Sequence, residues 1–79
     1  MVGDYRIWDC KDRAYISDWM MADELQEVLA TFAQEDRENG FHEYARLLIY
    51  REDDGIVARG AAGDLALKDF DAIQRTVSA

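Results

Sequence analysis

Five apolar side chains, Met21, Leu25, Val28, Leu29 and Phe32, recur at helical spacing in the middle of this chain, and segments that alternate residue by residue lie on both sides of them. Positions i, i+4, i+7, i+8 and i+11 form one stripe along a helix. Alternation marks a strand, because successive side chains point to opposite faces of a sheet. A chain of 79 residues has room for one domain. Within it the helical stripe needs an apolar sheet face to cover it.

The alternating segments place the strands. Residues 4–9 read as the first, residues 9–12 as a turn and residues 13–17 as the second. The helix follows, with Asp18 as a candidate cap or a start a few residues later, Asp23 and Glu24 suited to the positive end of its dipole, and Asn39-Gly40 as its stop. Residues 45–52 read as a third strand and residues 56–59 as a fourth, joined by Asp53-Asp54-Gly55, a hairpin signal. Gly60 and Gly63 bracket a loop. From about Asp64, helical spacing returns with Ala66, Phe70, Ile73 and Val77. The expected fold is α+β, one domain over residues 1–79. It has a four-stranded antiparallel sheet in ββαββα order with the helices on one face.

That arrangement sorts the strand residues. Tyr5, Ile7, Ala14, Ile16, Ala45, Leu47 and Ile49 face the helices. Arg6, Trp8, Tyr15, Ser17, Arg46, Leu48, Tyr50 and Arg59 fall on the other side. A solvent face is ordinarily Lys, Glu, Thr and Ser. Trp, Tyr and Arg are the residues enriched where proteins bind, because each joins a large contact area to a polar handle. Arg6, Trp8, Tyr15, Arg46, Leu48, Tyr50 and Arg59 therefore form a candidate partner-binding face. The plain alternative is that the arginines lie over the rings of their own chain.

A second candidate surface is electrostatic. Glu24, Glu27, Glu35 and Glu38 fall near one line of the helix, ~21 Å long at the α-helical rise. Such a row is a solvated face in most proteins, or a docking face for a protein with a basic surface. The whole chain has 17 acids against 9 bases, a formal net charge of -8. That balance excludes a generic cationic coat on nucleic acid. Single-strand binding by stacking on Trp8, Tyr15 and Tyr50 is the alternative reading, which the charge opposes.

Chemistry of other kinds finds little to stand on. One cysteine leaves no disulfide within the chain, and one histidine and one cysteine leave too few ligands for an ordinary zinc site. Glu52-Asp53-Asp54-Gly55 lacks the ligand spacing of a calcium loop. Gly60-Ala61-Ala62-Gly63 lacks the Lys and Ser/Thr of a phosphate loop. The expectation is a non-enzyme without catalytic residues, cofactor or metal. No apolar run reaches signal-peptide or membrane-span length, and with Cys10 alone the expected setting is the cytoplasm.

Tyr5-Arg6-Ile7-Trp8-Asp9, then Ala14-Tyr15-Ile16-Ser17-Asp18-Trp19 and the acidic helix, resemble a loose group of short actinobacterial proteins of unknown function. The resemblance implies ββαββ order, with residues 52–55 as the acidic turn of the last hairpin; it does not extend past Gly63. In size and charge alone the chain is also similar to small acidic phage-encoded inhibitors of host defence, some of which imitate nucleic acid. The resulting expectation is an acidic protein-binding module, an inhibitor or nucleic-acid mimic, or a homodimer paired through its sheet face.

Overall fold

A computed structural model describes residues 4–40 and 42–70. The elements are β1 (Tyr5–Asp9), β2 (Ala14–Tyr15), α1 (Ala22–Asn39), β3 (Leu47–Arg51), β4 (Gly55–Gly60) and α2 (Ala62–Leu65). All strand pairs are antiparallel, and the sheet order is β2-β1-β3-β4. The two hairpins thus join through their first strands, and α1 links them across one face.

The β1–β3 pairing carries the core. Tyr5, Ile7 and Asp9 are buried on β1, and Leu47, Ile49 and Arg51 on β3. The register sets Ile7 opposite Ile49, Tyr5 opposite Arg51 and Asp9 opposite Leu47, so the buried sets coincide. Leu25, Leu29 and Ala33 of α1, together with Ala62, Leu65 and Phe70, close over them. Val28 and Phe32 pack at the edge of this core. Gly40 ends α1 in the left-handed region at φ 68°, as a glycine there allows.

The structure moves several expected boundaries. The helix begins at Ala22, because Met20 exchanges backbone hydrogen bonds with Tyr5 (3.0 and 2.7 Å) and keeps the chain extended past Asp18. Met20 is therefore buried, whereas Met21, expected in the stripe, is exposed. The second strand shrinks to Ala14–Tyr15. Ser17 Oγ accepts the Ile7 N–H (2.9 Å) that would otherwise continue the ladder, so Ser17 ends the strand. Ala14 is exposed at the sheet's outer edge, not under a helix. Ala45 precedes β3 and is only half-buried. The second helix is earlier and shorter than expected. It includes Gly63, whose position would place a Cβ 3.8 Å from that of Ala33, so the expected loop between the glycines is one residue long. Ile73 and Val77 lie outside the described residues.

The least expected feature is a buried ion pair. Arg51 Nε donates to Asp54 Oδ2 at 2.7 Å, with both side chains about 2% exposed. Arg51 Nη1 also donates to Tyr5 Oη (3.2 Å) and to the Phe70 carbonyl (3.1 Å), and Tyr5 Oη donates to that same carbonyl (3.2 Å). Burial by itself pulls the Arg51 pKa down; the bonds to Tyr5 and Asp54 outweigh it and hold the group above its ordinary value. The cluster ties the turn after β3 and the segment after α2 to the first residue of β1.

At the other end of α1, the Asp36 carboxylate accepts the N–H groups of Glu43 (3.1 Å) and Tyr44 (3.0 Å), and the Tyr44 ring stacks on Phe32 at 4.1 Å. Burial, then the carboxylates of Glu35, Glu43 and Asp36, push the Tyr44 phenol above its ordinary 10.0.

Two outcomes follow from these contacts. Asp54→Ala removes the buried ion pair to Arg51 and should lower the unfolding free energy by about 3 kcal/mol in a urea melt, a large fraction of the total for so small a domain. Glu52→Ala, on the exposed side of the same turn, should cost less than about 0.5 kcal/mol. Because the folded state holds the Tyr44 proton more tightly, that group's stabilisation is full below the unfolded tyrosine pKa and is lost as pH rises through the raised folded value. In an ultraviolet titration of the folded protein, Tyr44→Phe should remove a phenol ionising above the ordinary range.

Candidate interaction face

Alternation in β1 and β3 sends every second side chain away from α1. Arg6 stands opposite Tyr50, Trp8 opposite Leu48 on one side and Tyr15 on the other, and Leu48 opposite Arg59. Residues directly opposite on paired strands share a face. Arg6, Trp8, Tyr15, Leu48, Tyr50 and Arg59 therefore come together as expected. Arg46 continues the alternation one step before β3, where its carbonyl accepts the Cys10 N–H at 3.1 Å.

The rings meet edge to face. Trp8 and Tyr15 centroids are 4.9 Å apart at 81°, and Tyr15 and Tyr50 are 5.5 Å apart at 69°. The Arg6 guanidinium lies 3.3 Å from the centre of the Tyr15 ring and 4.7 Å from that of Trp19. Its Nε is enclosed with no hydrogen-bond partner among the described residues, so ring faces replace water around it. Part of the face is thus covered by its own chain, in the manner of the plain alternative. One face of Tyr15 already carries a cation, which removes it from a platform for stacked bases.

Sequence reasoning missed two members. Trp19 lies beyond the strand pattern, and only the extended stretch before α1 brings it to Arg6. Ile56 reaches the face through an irregularity in β4. Ile49 pairs with Ala58, but Tyr50 pairs with Ile56, so Val57 is an extra residue. Val57 and Ala58 both pack on the core, and Ile56 turns outward, 50% exposed. No residue type in residues 55–60 signals that bulge.

Beside the rings, Arg46, Arg59, Leu48 and Cys10 line an open depression of about 250 Å³. Neither arginine has a carboxylate within ion-pair distance among the described residues. The acidic row is elsewhere. Glu24, Glu27, Glu35 and Glu38 are exposed on the outer side of α1, so the sheet and its core separate them from the rings. One flat partner surface cannot touch both. His42 is exposed and lines a separate depression with Asp36, Arg37 and Gly40. Among the described residues, no group of three or more His, Cys, Asp or Glu is placed to hold a metal, and no helix is long and apolar enough to cross a membrane.

The chain matches no protein-family model, no curated protein and no solved structure.

Arg6 gives the face a measurable signature. Arg6→Ala removes two cation–ring contacts and should cost about 1–2 kcal/mol in denaturant unfolding. Arg6→Lys should recover only part of it, because an ammonium does not lie flat between two rings.

Proposed function

We propose that this protein is a non-catalytic binding module that covers the surface of another protein with the outer face of its sheet. The observation that carries the reading is the composition of that face. Trp8, Tyr15, Leu48, Tyr50 and Ile56 form its apolar middle, and Arg46 and Arg59 stand toward one end without acidic partners among the described residues. Aromatic side chains supply contact area with little conformational freedom to lose, and arginine adds a polar handle to a long apolar stem. Tyr15 is 38% exposed and Ile56 50% exposed, so apolar area remains to be covered by association. The acidic row of α1 takes a separate part. It keeps the chain negative and lies away from the contact.

Site-specific photo-cross-linking tests this. A photoreactive residue at Leu48 or Tyr15 should give a discrete adduct in an extract of the native cell, and one at Glu27 or Glu38 should give none. Adducts only from the helix would move the docking surface to α1. No adduct from either would remove the binding reading.

A further inference from the structure

The outer face is polarised along its strands, and the polarity is self-complementary. The β1–β3 ladder runs one step past Tyr5 and Arg51, where the Glu52 N–H donates to the Asp4 carbonyl at 2.7 Å. Alternation puts Asp4 and Glu52 on the side of Arg6 and Tyr50. Two carboxylates opposite each other on paired strands repel. Both are exposed, and no cation pairs with either among the described residues. On the same face Arg46 stands six residues from Glu52, ~20 Å at the strand rise, and Arg59, opposite Leu48 on β4, stands four residues along; neither has a carboxylate within ion-pair distance among the described residues. Between the two ends lies the apolar middle.

We infer that the partner of this face is a second copy of the chain, stacked sheet to sheet about a twofold axis perpendicular to the strands. This rests on the docking reading above and fixes its occupant. An axis along the strands would lay Glu52 over Glu52 and Arg46 over Arg46. An axis across them, through the middle of β3, lays Arg46 of each copy over Glu52 of the other. One patch on both subunits makes two identical contacts and closes the assembly at a dimer. Sheets packed in this way stand about 10 Å apart, enough for one interleaved layer of Trp8, Tyr15, Leu48 and Tyr50. The ion pairs lie at the two ends and the rings in the centre, the usual arrangement of polar rim and apolar core.

Sedimentation equilibrium over a concentration series tests the geometry. The wild-type chain should shift from 9.1 kDa to twice that mass with rising concentration. Arg46→Glu and Glu52→Arg should each weaken self-association at least tenfold, with the circular dichroism spectrum unchanged. The double variant R46E/E52R should restore it, as should mixing the two single variants. A chain that stays at 9.1 kDa at every concentration overturns the dimer; an adduct from Leu48 to a different protein would then leave the docking reading intact. A dimer that ignores both single reversals, with no self-adduct from Leu48 or Tyr15, overturns the dimer geometry and the docking face together. Failure of the double variant to recover, with both single variants monomeric, would overturn the antiparallel stacking alone.

Discussion

Everything in this molecule is organised by the pairing of β1 with β3. Two five-residue strands lie side by side at the centre of the sheet, and their register matches buried residue to buried residue and outward residue to outward residue. A slip of one position would turn one strand over against the other, putting Trp8 under α1 with Ile7 exposed, or Tyr50 under α1 with Ile49 exposed. The core and the outer face are therefore one decision made twice, and neither can change without the other.

The buried arginine explains how so short a chain holds its ends. Apolar burial alone is scarce in a domain of this size. Arg51 sits where a core residue is expected and compensates by making several connections at once. It binds Asp54 across the turn, Tyr5 on the neighbouring strand and the Phe70 carbonyl, and its guanidinium stands 5.7 Å from the Tyr5 ring centre. A hydrophobe of similar volume would fill the space but would supply no donor to Asp54, and the Tyr5 hydroxyl and Phe70 carbonyl would keep, of this cluster, only their bond to each other. The acid in the β3–β4 turn is thus part of the core, although it reads in sequence as a solvent-exposed hairpin tip.

How much was legible follows from which forces act locally. The strand faces, the helix stripe and the glycine stop at Gly40 are properties of short segments, so Trp8, Tyr15, Leu48 and Tyr50 could be placed on one face from alternation alone. What escaped depends on contacts between distant segments. The bridge from Tyr5 to Met20 delays α1, the hydroxyl of Ser17 cuts β2 short, and the bulge at Val57 turns Ile56 outward. Arg51 escaped for a different reason. Arginine at an inward strand position reads as a flank, and its partners lie 3, 19 and 46 residues away. The separation of the acidic row from the rings was implied by helix and sheet geometry, yet it became definite only once α1 was seen to lie across the opposite face.

The central claim is that the rings belong to the side of the sheet turned away from α1. Proton–proton Overhauser contacts read this directly. The account predicts cross-peaks linking the Trp8, Tyr15 and Tyr50 rings to one another, and none from those rings to the methyls of Leu25 or Leu29. Strong contacts between Trp8 or Tyr50 and those leucines would contradict it.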